Sequence, residues 1–333
     1  MQEPDTEVAH APKRGARVKL ALRIVVSAAL LAYLISKIDF DKVVPRDSHL
    51  STLTWLALAV LMASLGIVLS AWRWQRVIEA FGVHIPVRRL TSHYYAGQFV
   101  GNVLPSTIGG DVLRVTRSAK DIGTTETAFA AVALERLTGF LALPVLSIIG
   151  FAIEPSLLES KRAWLALLVS GITLAALGTV LFLGGHPKAA GRFKGHENWT
   201  RFIAAVHEGV TRLRADRHHA VGVIGTAFLY QISVVATVGL LSVSLGTGVS
   251  FGAIVAFIPV VAMAQVLPIS LSGLGIREGM LVLLLTPLGV TNGHAVGLGL
   301  AWYATMLLIS LPGAPAVAVG GRTKNPDDVE VSQ

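Results

Sequence analysis

The chain contains no cysteine, so disulfide frameworks, thiolate nucleophiles and cysteine-ligated metals are excluded. Charge is scarce: 14% of the 333 residues are Asp, Glu, Lys or Arg, where a soluble domain carries about 25%. The short alternating segments that build a membrane barrel are missing. A Gly-x-x-x-x-Gly-Lys-Ser/Thr phosphate loop, a His-Glu-x-x-His motif and an Asp-rich diphosphate motif are missing too, so neither an ATP drive nor a metal or other cofactor is expected.

What is present is apolar. Hydrophobic residues make up 53% of the chain, and the mean hydropathy is +0.64. Six runs are long enough to cross a hydrocarbon core of about 30 Å at ~1.5 Å per residue: 18–36, 52–71, 128–151, 163–183, 220–245 and 294–314. The first exceeds the ~7–15 apolar residues of a signal peptide, so it reads as an uncleaved span. Residues 1–17 are polar and basic, and 321–333 form a polar tail. The net charge of +8 is the basic excess of a membrane protein's cytoplasmic loops, and no nucleic-acid module accompanies it. Trp72-Arg73-Trp74 reads as an interfacial anchor. In the basic stretch 186–219, Phe202, Ile203, Val206, Val210 and Leu213 recur at helical spacing. That pattern fits an amphipathic helix lying on the membrane or one packed against the bundle's cytoplasmic end.

Two related stretches break the apolar pattern. The first is Leu104-Pro105-Ser106 with Gly109-Gly110-Asp111 and Arg114; the second is Leu267-Pro268-Ile269-Ser270 with Gly273, Gly275, Arg277 and Glu278. Proline cannot continue a helix cleanly, and such broken backbone is tolerated at membrane depth only where it is buried in protein or lines a wet cavity. The arms around the first stretch are each nearer half a crossing. If both stretches are hairpins returning to the side they enter, 21 of the 28 Lys and Arg fall on one side and 5 on the other. That split orients the first side, with both termini, to the cytoplasm. Residues 52–151 and 220–314 then become the same unit in opposite orientations, the architecture of many transporters. The expected fold is an all-α polytopic membrane protein: about six full transmembrane helices plus two re-entrant helical hairpins arranged as inverted repeats, in one transmembrane domain over 18–320.

The chemistry of the hairpins suits an anion. The second arm of each starts just after its glycines and offers free N–H groups and a positive dipole end. Asp111 can cap the first such arm. Arg114 and Arg277 lie in the first turns, where a guanidinium can hold phosphate bidentately. The alternatives are structural. Arg114 can be interfacial; Arg277 can be neutralised by Glu278 or Glu135; Glu135-Arg136 can lock a helix. Gln98, Asn102 and Gln265 fit interhelical hydrogen bonds as well as substrate contacts. Gly97-x-x-x-Gly101 and Gly275-x-x-x-Gly279 offer small faces for close helix approach.

The combination Phe99, Asn102, Leu104-Pro105-Ser106, Gly109-Gly110-Asp111, Arg114, then Glu135-Arg136-Leu137 and Gly139, then Pro268-Ile269-Ser270, Gly273, Gly275 and Arg277-Glu278 resembles the lysylphosphatidylglycerol synthase transmembrane, flippase-like family. Its best-known member is the membrane half of the multiple peptide resistance factor; stand-alone relatives occur beside hopanoid and glycolipid pathways. The resemblance covers roughly 20–320 and implies a lipid translocase-like fold in a bacterial inner membrane. It further implies that Asn102, Ser106, Asp111, Arg114, Glu135, Arg136, Arg277 and Glu278 line a path for lipids with anionic head groups, and Ser270 is a further candidate substrate contact. The family's soluble aminoacyl-transferase domain has no room after Gly321, so synthase activity is not expected. Two other readings compete. A non-transporting partner of a lipid-pathway enzyme would recruit through 186–219, and a membrane protease would need Ser272 and His294 to meet.

Overall fold

The computed structural model describes residues 50–103, 109–184, 197–266 and 273–319. The expected span at 18–36, the basic N-terminus, the polar tail, and Pro105, Ser106, Pro268, Ser270 and Ser272 lie outside the described residues. Among the described residues every regular element is a helix.

The α-helices are α1 Leu50–Ala80, α2 Val87–Val103, α3 Gly109–Ile122, α4 Thr125–Ile153, α5 Lys161–Gly184, α6 Glu197–Ala215, α7 Arg217–Ser244, α8 Phe251–Gln265, α9 Ile276–Leu285, α10 Asn292–Ser310 and α11 Gly313–Val319. Five of them, α1, α4, α5, α7 and α10, are long and apolar enough to cross a membrane. They coincide with five of the six runs in the sequence.

The anchor reading of Trp72-Arg73-Trp74 is corrected here for Arg73 and Trp74. Helix α1 has no breaker until Gly82, which takes a left-handed φ of 81°, so the helix runs past residue 71 to Ala80. Trp74 is completely buried and packs with Val77, Ile78, Leu90 and Leu134 in a core between α1, α2, α4 and α6. Arg73 is buried as well.

Contacts along their lengths fix the directions of the paired helices. Helices α2 and α3 run antiparallel: Arg89 pairs with Asp121 at 2.5 Å, and a Cβ on Gly97 would meet Arg114 Cγ at 2.8 Å and the Gly110 carbonyl at 2.9 Å. The small face of Gly97 and Gly101 thus lets α3 close onto α2. Gly275 is used differently: it caps α9 with φ 83°, and a Cβ on Gly279 would meet open space. Helices α1 and α7 are also antiparallel, with Gly66 against Ser233 and Arg76 beside Gly222. So are α4 and α8: the Ser250 hydroxyl at the start of α8 donates to Glu154 at the end of α4 at 2.6 Å, Ser147 further back donates to the Ala256 carbonyl at 2.8 Å, and Phe151 meets Phe257 edge to face at 5.5 Å. On the opposite seam the Asn102 side chain donates to the Met306 carbonyl at 3.2 Å, and Gly313 lies against the Tyr95 backbone. The main apolar core joins α4, α7, α8, α9 and α10.

Of the two readings of 186–219, the packed one holds over the described part. Ala205, Val210 and Leu213 of α6 are buried, and Gly209 brings α6 against Leu134 and Phe81. Asp216 then caps α7, accepting from the His218 and His219 amides at 2.9 and 3.2 Å. A hydrogen bond from the His219 ring, followed by those amides, holds the Asp216 carboxyl below its ordinary range.

Candidate functional site

Between the α2–α3 pair and the α8–α9 pair lies a cavity of about 540 Å³. Helices α1, α4, α7 and α10 complete its wall. Its size falls within the range of small-molecule sites, about 300–1,000 Å³. Four arginines line it: Arg73, Arg114, Arg136 and Arg277.

Three of these arginines share two carboxylates. Glu135 on α4 is fully buried. One of its oxygens pairs with Arg73, and the other takes Arg114 Nη2 at 3.1 Å. Asp111, in the first turn of α3, accepts from Arg136 at 2.8 Å and lies 3.4 Å from Arg114. Aromatic rings hold the guanidiniums flat. Arg114 lies over Tyr94 and Trp74 at 4.2 and 4.3 Å from the ring centroids, and Arg73 lies over Tyr230 at 5.0 Å. Planar, delocalised guanidinium suits such stacking better than ammonium.

Arg277 has a separate surround. Its Nε donates to Gln265 Oε1 at 2.8 Å, and its guanidinium lies 5.3 Å from the ring centroids of both Trp302 and Tyr303. Glu278 is a distant counter-charge, 3.9 Å away. Its other oxygen accepts from the Gly275 N–H at 2.6 Å and so satisfies a free amide at the start of α9. Among the described residues, with Glu278 included, four arginines face three carboxylates, a surplus of one positive charge.

The structure therefore brings together Asn102, Asp111, Arg114, Glu135, Arg136 and Arg277 on one cavity wall, with Glu278 buried beside it. Three alternatives from the sequence give way. Arg114 is buried, not interfacial. Glu135 serves Arg73 and Arg114, not its neighbour Arg136 and not Arg277. Asp111 spends its carboxylate on arginines. His294 opens α10 with its ring against Thr291, 3.1 Å from the hydroxyl.

Sequence reasoning missed Arg73, Tyr94, Tyr230, Gln231, Trp302 and Tyr303, all of which line the cavity. A usable signal existed for Arg73. It stands one residue from Trp74 in an uninterrupted helical stretch that runs on to Gly82, too far in to be a terminus. Gln231 donates to the Gly139 carbonyl at 3.0 Å. Among the described residues the hydroxyls of Tyr94, Tyr230 and Tyr303 and the amide of Gln98 have no hydrogen-bond partner. No cluster of three potential metal ligands occurs among the described residues.

Fold and site together define a multi-pass helical membrane protein with an arginine-rich polar cavity between the α2–α3 and α8–α9 helix pairs. The chain matches the family model described as lysylphosphatidylglycerol synthase TM region over residues 20–313, and it belongs to that family. It is also similar to a UPF0104 membrane protein of Methanothermobacter thermautotrophicus, 24% identical over 261 residues, which span 71% of this chain and 76% of that protein.

Proposed function

We propose that the protein is a lipid translocase, not an enzyme, and that it carries a lipid with an anionic head group between leaflets of the cytoplasmic membrane. The head group passes through the cavity while the acyl chains stay in the bilayer. The observation that carries this reading is the surplus positive charge, among the described residues, of four arginines lining one cavity. An ionised phosphate entering hydrocarbon alone meets a prohibitive desolvation cost, and pre-oriented guanidiniums replace the lost water.

The helical arrangement supports inverted repeats. One constant shift in numbering carries Asn102 to Gln265, Pro105 to Pro268, Gly110 to Gly273, Arg114 to Arg277 and Gly150 to Gly313. The equivalent helices α1 and α7 run antiparallel. The contact of Gly150 with α8 has its counterpart in that of Gly313 with α2. In this reading α2–α3 enters from the cytoplasm and α8–α9 from outside, both are re-entrant, and both termini are cytoplasmic. A polar path between paired broken helices is how many transporters build a site. The competing role, recruitment of a lipid-pathway enzyme through 186–219, finds less support, because Val210 and Leu213 of the apolar stripe of α6 are buried in the fold.

Two experiments test the reading. Arg277→Gln and Arg114→Gln, reconstituted in vesicles with a fluorescent phosphatidylglycerol, should lose at least tenfold in translocation rate while eluting as folded protein. Wild-type rates in both would remove the site assignment. The absence of native cysteine makes introduced thiols unique. Lys120→Cys and Arg214→Cys should react with an impermeant maleimide only from the cytoplasmic side, and Glu159→Cys only from outside. Labelling of residues 120 and 214 from outside, with residue 159 reacting from the cytoplasm, would overturn the hairpin topology.

A further inference from the structure

The cavity's uncommitted groups say more about the head group than its charge does. Tyr94, Tyr230 and Tyr303 each present a ring to a guanidinium and keep a hydroxyl without a partner among the described residues. Gln98 adds an amide in the same state. Each phenol can donate and accept, and the amide offers both donors and acceptor. That inventory matches a surface of hydroxyls.

A cationic head group finds no such provision. The carboxylates lining the cavity are Asp111 and Glu135, and both already bind arginines. Aromatic cages bind ammonium through ring faces, but the faces here carry guanidiniums: Trp74 and Tyr94 hold Arg114, Tyr230 holds Arg73, and Trp302 and Tyr303 hold Arg277.

We infer that the cargo is a phosphate lipid whose head group is rich in hydroxyls and free of positive charge, a polyol or sugar phosphate, with the arginines taking the phosphate and the three tyrosine hydroxyls and Gln98 reading the hydroxyls. This deepens the proposed function and rests on it. A site built to hydrogen-bond a hydroxyl rejects the analogue that lacks it, because its own polar groups are then left unpaired.

The test uses the full chain in detergent, titrated with defined lipids and read by native mass spectrometry. Phosphatidylinositol carries phosphate and a ring of hydroxyls, phosphatidic acid carries phosphate alone, and lysylphosphatidylglycerol carries ammonium groups. The variant is the triple Tyr94→Phe, Tyr230→Phe, Tyr303→Phe, which keeps every ring on its guanidinium. At about 1 kcal/mol per hydrogen bond, each hydroxyl is worth roughly fivefold. The triple variant should therefore lose more than tenfold for phosphatidylinositol and less than twofold for phosphatidic acid, and lysylphosphatidylglycerol should bind at least tenfold more weakly than phosphatidylinositol to the native chain. Equal losses for both phosphate lipids, no loss for either, or lysylphosphatidylglycerol binding as well as phosphatidylinositol would overturn the inference. Failure of the native chain to bind either phosphatidylinositol or phosphatidic acid would instead sink the translocase reading beneath it.

Discussion

Replacing Glu135 by Gln is expected to cost the protein about 3–5 kcal/mol, the scale on which a broken buried ion pair destabilises. The carboxylate has no access to solvent, and its two oxygens neutralise Arg73 and Arg114, themselves 3% and 2% exposed. The amide keeps the shape and part of the hydrogen bonding but removes the charge. Two guanidiniums then remain in a low-dielectric interior with Asp111 as the nearest acid. Desolvation dominates here: the stranded charges are almost wholly buried, and burying an uncompensated charge costs far more than losing one hydrogen bond. Fluorescence-detected size-exclusion after heating should show a large fall in the apparent midpoint. Adding Arg73→Met to the same chain should recover part of it, since the double change deletes the stranded cation. A Glu135→Gln protein as heat-resistant as the native one would show that the cluster contributes nothing to folding.

The second large effect is expected from one methyl group at Gly150. In an isolated helix, Gly→Ala gains about 1 kcal/mol. Against that, a Cβ at Gly150 would collide with the backbone of Val255 and Ala256. Backbone cannot swing aside as a side chain can, so α4 and α8 must part, opening the Phe151–Phe257 contact and the Ser147 hydrogen bond. Overpacking typically costs about 1–3 kcal/mol before such secondary losses are added, so the substitution should be clearly destabilising. Gly313→Ala should behave alike, because its Cβ would strike the Tyr95 backbone. Gly171→Ala on α5, where a Cβ meets open space, is the internal control and should hold or raise the midpoint. Identical shifts at residues 150 and 171 would mean that the seam is looser than drawn.

Some of this was legible in the residues and some was not. Long apolar runs announce membrane helices because the bilayer imposes a length, and five of the runs became α1, α4, α5, α7 and α10. Arg114, Glu135, Arg136 and Arg277 could be singled out because a charge among apolar neighbours must find a partner. Which partner it finds was not legible. Neighbouring residues on a helix do not face each other, so Glu135 turns to Arg73 and Arg114 while Arg136 turns to Asp111. Those pairings exist only once α1, α3 and α4 are packed. Arg73 was hidden for a different reason: tryptophan beside arginine at the end of an apolar run is the pattern of a membrane interface. Only the continued helix shows that Trp74 is core. The tyrosines were silent because their part depends on a guanidinium reaching each ring from another helix.

The single positive charge left over by four arginines and three carboxylates has an electrical consequence. A monoanionic occupant brings the cavity to neutrality, and a neutral cavity feels no net force from the potential across the bilayer. The vacant one does, at about 2.3 kcal/mol per elementary charge for each 100 mV. On the proposed translocase reading, voltage would therefore act on the protein without its cargo, through that surplus charge, and would leave the loaded one to thermal motion alone.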